Sequence, residues 1–155
     1  MNFIKLASPG VLEINPYQPG KPVEELEREL GLTNIVKLAS NENPLGASEK
    51  VISSLASVLP ELARYPDGSA YLLKSRLSDF LNVQENQLTI GNGSNDVLEL
   101  LARVYLSRDN ESIISQHSFV VYPLVTKAIG AGLKVVPAKN YSQDLEATLD
   151  AITTK

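Results

Sequence analysis

The sequence predicts an α/β fold, with a mostly parallel sheet and flanking helices. Three observations carry that expectation. From residue 87 onward, strand-like runs alternate with amphipathic helices, the pattern of right-handed βαβ units. The stretch "LTIGNGSNDVLELLARVYL" (residues 88–106) stops a strand on small residues and restarts as a helix, as at the ligand-binding edge of open α/β sheets. The apolar fraction is 43% of 155 residues, enough for one core that buries about two thirds of the chain's surface.

The elements follow in order. Residues 1–22 carry Pro9, Pro16, Pro19 and Pro22 with little periodicity. Proline fixes φ and removes a donor, so this is an irregular arm with one short helical turn. "VEELEREL" (23–30) reads as a helix stopped by Gly31. "IVKLAS" (35–40) reads as a strand and "NENPLG" (41–46) as a loop. Residues 48–63 are helical, with Ser48 as N-cap, Val51, Ile52, Leu55 and Leu59 at helical spacing, and Pro60 kinking or ending the run. "RYPDG" (64–68) is a turn. Ser69 is positioned to cap a helix over 70–82 that turns Leu73, Leu77, Phe80 and Leu81 inward.

The α/β rhythm then begins. "QLTIG" (87–91) is a strand and 94–106 a helix with Val97, Leu98, Leu101, Val104 and Tyr105 on one face. Strands over 112–116 and 133–138 flank a helix over 119–132, and a last helix covers 144–152. The run from residue 87 on supplies three parallel strands, which with open edges make a poor finished sheet. The pattern reads as interrupted, so the chain is expected to be a fragment. No internal repeat or low-complexity tract is visible.

Composition removes several function classes. Net charge is −4 with no basic stripe, so nucleic acid is not an expected partner. There is no cysteine, which excludes disulfides, zinc–thiolate sites and thiol nucleophiles. No apolar run reaches membrane-spanning length and the N-terminus has no h-region, so a soluble, cytoplasmic protein without membrane contact is expected.

The residues with chemical promise cluster at strand ends. Gly91 and Gly93 permit close backbone approach, and the following helix N-terminus offers unpaired N–H groups and a positive dipole end to a phosphate. Ser94 adds a hydroxyl and Asn95 a capping side chain; the plainer alternative is a capped helix after a tight turn. A dinucleotide fingerprint would need a third glycine where Asp96 stands, and an acid at the next strand end, where Gln116 and His117 stand. A P-loop would need Gly-Lys-Ser/Thr, which is absent. In "SQHSFVVYP" (115–123), Phe119 opens a helix beside the neighbouring strand end, where a ring can stack on a flat ligand; Tyr122 is assigned to the core. A single histidine with no cysteine makes neither a triad nor a metal site, so His117 is expected to be a locally hydrogen-bonded loop residue, and no metal site is expected. Asn41, Glu42 and Asn43 form a polar turn of a common kind. Tyr17 and Tyr65 stand beside prolines, which alone says little.

Together, "NPYQPGKP", "LASNENPLG", "RYPDG", "GNGSND" and "SFVVYP", in this order and spacing, resemble the front of the histidinol-phosphate aminotransferases, which are fold-type-I pyridoxal-phosphate (PLP) enzymes. The resemblance covers essentially the whole chain. The glycine turn is common to related aminotransferases, whereas "NPYQPGKP" and "NENPLG" point to this branch. It implies the N-terminal part of an aspartate-aminotransferase-like large domain: an arm and dimer-contact segment over 1–34, then a partial PLP-binding domain over 35–155. It implies cofactor contacts from Gly93, Ser94, Asn95 and Phe119, with Tyr65 reaching a partner subunit's site across a homodimer. Where the family often has tyrosine, Phe119 keeps the stacking surface and loses a hydroxyl. Tyr17, Asn41, Glu42 and Asn43 would border the substrate. The family's Schiff-base lysine falls beyond residue 155, so the resemblance implies no catalytic residue within the chain. The implied reaction is transamination between histidinol phosphate and 2-oxoglutarate, in histidine biosynthesis. Alternatives are an aromatic-amino-acid aminotransferase, a threonine-phosphate decarboxylase, or a non-catalytic α/β module that binds a nucleotide.

Overall fold

The computed structural model describes residues 3–155. By its internal contacts the chain divides into two units, residues 18–73 and residues 3–17 with 74–155, and each is described by itself.

Within residues 18–73 the structure is helical with long connecting loops. Helix α2 (Val23–Leu30) ends where Gly31 adopts φ 63°, the left-handed stop that glycine takes without a Cβ penalty. Helix α3 (Glu49–Val58) starts at Ser48, whose hydroxyl accepts the Lys50 N–H at 3.2 Å. It gives way before Pro60 to a short 3-10 turn, Leu59–Glu61, because proline cannot supply the next helical donor. The expected strand over 35–40 belongs to no ladder among the described residues. Helix α4 (Tyr71–Leu81) crosses the boundary between the units. Its cap is Asp67 rather than Ser69: the carboxylate accepts the Tyr71 N–H at 2.9 Å and both the amide and the hydroxyl of Ser69. Those bonds, the Ser69 hydroxyl foremost, hold the Asp67 carboxyl below its usual range.

The other unit contains the sheet. Strand β1 (Glu111–Ser115) pairs in parallel with β2 (Gly132–Val136), with Glu111 opposite Gly132 and Ser115 opposite Val136. Helix α6 (Val121–Ile129) makes the crossover and ends at Gly130, φ 83°. It is shorter than the predicted 119–132, because the turn after β1 takes residues to 120 and Gly130 stops the helix. Ser112 and Thr126 share a hydroxyl–hydroxyl bond of 2.8 Å that fixes α6 on β1. Helix α5 (Ser94–Tyr105) packs on α6, and the short α1 (Pro9–Leu12) lies against the end of α6. A Cβ at Gly10 would sit 2.0 Å from the Lys127 carbonyl oxygen, so only glycine allows this approach. Helix α7 (Leu145–Asp150) begins at Asp144, whose carboxylate accepts the Ala147 N–H at 3.0 Å. Beyond it, Lys134 bonds both Glu111 at 2.8 Å and the Ala151 carbonyl at 3.0 Å. Lys134, then Thr153, hold the Glu111 carboxyl below its ordinary value.

Two expectations fail here. The expected strand over 87–91 forms no ladder among the described residues and its first residue, Gln87, ends a 3-10 turn, so the sheet has two strands rather than the expected three or more. Nor is there one well-buried core. Among the described residues only Ala102, Val136 and Thr126 are buried. Val51, Ile52, Leu55 and Leu59, apolar at helical spacing, are all at least half exposed, as are Leu73, Phe80 and Leu81 of the side predicted to face inward. Helical periodicity identifies an apolar face; covering it requires a partner surface.

Candidate functional site

The glycine turn is built as a backbone cup. Gly93 is the N-cap of α5, at φ 78°, and no side chain caps the helix. The Gly93 N–H turns back to the Gly91 carbonyl at 2.8 Å, and the Asp96 carboxylate reaches back to the Asn92 N–H at 3.1 Å. Asp96, which on sequence grounds only ruled out a dinucleotide fingerprint, therefore shapes the turn. The signal was its place in the first helical turn, where a carboxylate can serve backbone donors. The two glycines serve different ends. A Cβ at Gly91 would meet Asp96 Oδ2 and Val97 Cγ2 at 2.9 Å, so that position is closed by packing. At Gly93 nothing lies within 4 Å of a built Cβ; there glycine serves the backbone conformation and leaves open space.

That open side is where Ser94 and Asn95 begin the helix. Both are exposed, and among the described residues neither amide has a protein acceptor. Unpaired amides at a twelve-residue helix's N-terminus suit an anion's oxygens. A phosphate group fits this donor set.

The neighbouring strand end makes a second edge. Gln116 continues the ladder by donating its N–H to the Val136 carbonyl at 2.8 Å, and its side chain accepts the Ala138 N–H at 3.1 Å. Ser118 N–H closes a turn onto the Ser115 carbonyl at 3.0 Å. Phe119 follows just before α6 and is 49% exposed, leaving ring surface free for stacking. Tyr122 is 40% exposed and lines a cleft of about 250 Å³ with Ser115, Ser118 and Gln143; it is not the core residue expected, because the first turn of α6 is open on that side. His117 is an exposed turn residue as expected, but its side chain has no hydrogen-bond partner among the described residues.

Tyr17 belongs to the same unit as this cup and is 56% exposed. The other residues singled out in the sequence lie in the unit of residues 18–73. Tyr65 is fully exposed. The turn over 40–46 is more constrained than its composition suggested. Ser40 and Asn41 both have positive φ, 70° and 52°, at a cost of about 1–3 kcal/mol for each such residue outside glycine. Lys37 pairs with Glu42 at 2.5 Å. Asn43 accepts the Leu45 N–H at 3.0 Å and donates to the Gly46 carbonyl at 3.1 Å. Among the described residues no group of acidic, histidine or cysteine side chains could hold a metal, and no helix is long and apolar enough to cross a membrane.

Comparison with known proteins adds three findings. The family model for aminotransferase class I and II matches residues 33–155. The chain is 57% identical to histidinol-phosphate aminotransferase 1 of Idiomarina loihiensis, over 99% of this chain and 42% of that protein. It is 56% identical to histidinol-phosphate aminotransferase 2 of Pseudomonas fluorescens, over 97% of this chain and 41% of that one. The chain thus spans about two fifths of the length of these relatives. Among solved structures it resembles the histidinol-phosphate aminotransferase from Sinorhizobium meliloti in complex with pyridoxal-5'-phosphate. The TM-score is 0.80 at 22% identity, over 93% of this chain and 38% of that one, which establishes a shared fold.

Proposed function

This chain belongs to aminotransferase class I and II, and from that premise we propose that it forms the front of a PLP-dependent enzyme transferring an amino group between histidinol phosphate and 2-oxoglutarate. Relatives of that name at 56–57% identity along nearly the whole chain support this choice of substrate. The single observation that carries the cofactor reading is the α5 N-terminus: a glycine cap, open space beside it, and two exposed amides without acceptors.

In this reading residues 35–155 contribute to the cofactor-binding domain and 1–34 to an arm and dimer contact. The Ser94 and Asn95 amides hold the phosphate, with Gly93 setting their direction. Phe119 offers a face to the pyridine ring. When bound, PLP supplies an electron sink for the substrate carbon that carries nitrogen. Tyr17 and the turn at Asn41, Glu42 and Asn43 border the amino substrate. Tyr65 serves the partner subunit's phosphate in a cytoplasmic homodimer.

Transamination also needs a lysine to hold the cofactor covalently and shuttle a proton, and the reading assigns that role to none of the lysines in this chain. Two measurements test it. Titrating the 155-residue chain with PLP and with NAD should give binding to PLP only; tight NAD binding without PLP would overturn the cofactor reading. Borohydride reduction with PLP should leave every lysine of the chain unmodified by mass spectrometry; a stoichiometric adduct at one lysine would overturn the assignment.

A further inference from the structure

The cup carries a chemical feature that phosphate binding does not use. Asn92 and Gly93 form the single Asn-Gly pair of the sequence. Both residues are exposed, and the Asn92 side chain has no hydrogen-bond partner among the described residues. Nothing lies within 4 Å of a Cβ built at Gly93, so no neighbouring atom crowds Gly93 from that side. The Gly93 N–H is held by the Gly91 carbonyl at 2.8 Å. Breaking that one exposed bond frees the Gly93 nitrogen, a local opening of the kind surface turns undergo.

Other asparagines lack this combination. Asn15 and Asn43 precede prolines, which have no N–H to give up. The Asn110 side chain accepts from the Ser107 amide at 3.0 Å and hydroxyl at 2.7 Å. Asn82 and Asn140 are exposed but precede Val83 and Tyr141, whose side chains shield the following nitrogen where glycine leaves it bare.

We propose that Asn92–Gly93 is a site of self-modification, at which the chain converts its own asparagine to aspartate and isoaspartate and so closes the cup to anions. Asparagine is a labile residue, and the step needs only water. The Gly93 nitrogen gives up its proton and attacks the Asn92 side-chain carbonyl carbon. That N–C bond forms, the side-chain nitrogen leaves as ammonia, and a five-membered succinimide remains. Water then opens the ring at either carbonyl. One product is aspartate at position 92; the other is isoaspartate, with the main chain routed through Cβ. Either product sets a carboxylate beside the Ser94 and Asn95 amides, where it opposes an anion. Isoaspartate also lengthens the main chain just ahead of Gly93, whose φ of 78° starts the helix. The loss of anion binding rests on the function proposed above; the conversion itself does not.

The test stores the 155-residue chain in mildly alkaline buffer, where the amide proton is lost more readily, and maps its peptides by mass against time. The Asn92 peptide should gain the mass of exchanging NH2 for OH and split into aspartate and isoaspartate forms, before Asn82 or Asn140 changes. PLP should slow conversion at Asn92 and leave Asn140 unaffected, a protection that an unfolded chain would not show. In absorbance titrations the converted chain should bind PLP about tenfold more weakly than fresh chain, and Asn92→Asp should reproduce that loss without storage. Asn92→Gln, whose longer side chain closes the ring poorly, should keep on storage the affinity it has when fresh. Conversion at Asn92 no faster than at Asn82 and Asn140, or a converted chain that binds PLP as tightly as fresh chain, would overturn the inference alone. A fresh chain that binds no PLP would overturn the cofactor reading and the loss of anion binding with it, while conversion at Asn92 would stand on its masses.

Discussion

The cup at the start of α5 and the turn over 40–46 are two solutions to presenting polar groups at a surface. The cup does it with backbone: its donors are the Ser94 and Asn95 amides, and its shaping residues are Gly91 and Gly93. The turn does it with side chains: an ion pair, an asparagine bonded at both ends, and one asparagine left over. A backbone site depends on conformation and tolerates changes of side chain, provided the φ angle survives. A side-chain site depends on identity at each position.

That contrast can be broken by substitution, and the largest effect is expected at the cap. Gly93→Val places a β-branched residue at φ 78° and should lower PLP affinity by about 2 kcal/mol, roughly thirtyfold, in titrations followed by absorbance. Full retention would mean that the cup does not hold the phosphate through this geometry. Phe119→Ala should weaken PLP by about 1 kcal/mol, the scale of aromatic stacking, seen as faster cofactor loss on dialysis. The smallest effects should come from Ser94→Ala and Asn95→Ala. Each leaves the donating amide in place and removes at most one side-chain bond of about 1 kcal/mol. A loss at either position exceeding that of Gly93→Val would reverse the contrast and make the cup a side-chain site.

The sequence disclosed these two regions unequally. Helix α2 was legible to its last residue because Gly31 stops it; α3 was legible at its start, where Ser48 caps it, but it ends at Val58, ahead of Pro60, rather than reaching the expected residue 63. These are local signals, complete within a few residues. The cup was legible for the same reason: glycines and a helix start are neighbours in the chain. What failed was non-local. Residues 35–40 and 88–90 have the composition of strands, but a strand is defined by its ladder partner, which no local run contains. The apolar stripe of α3 was readable, its exposure was not, because burial depends on what lies opposite. Ser69 alone was the expected cap for α4; the Asp67 carboxylate, with two oxygens, takes three donors at once, Ser69 among them. In the 40–46 turn the sequence showed polar residues and hid their division of labour. The engagement of Glu42 depends on Lys37, five positions back, and the seating of Ser40 on Gly20, twenty back.

The β1–α6–β2 crossover also has a consequence in time. Its strands are separated by about twenty positions, and the entropy of closing a loop grows only logarithmically with its length. The contact between Glu111 and Gly132 is therefore inexpensive for a growing chain to form. During translation α5 and its cup emerge before α6, the helix on which α5 packs. The crossover helix of this parallel pair becomes the surface on which the waiting helix settles.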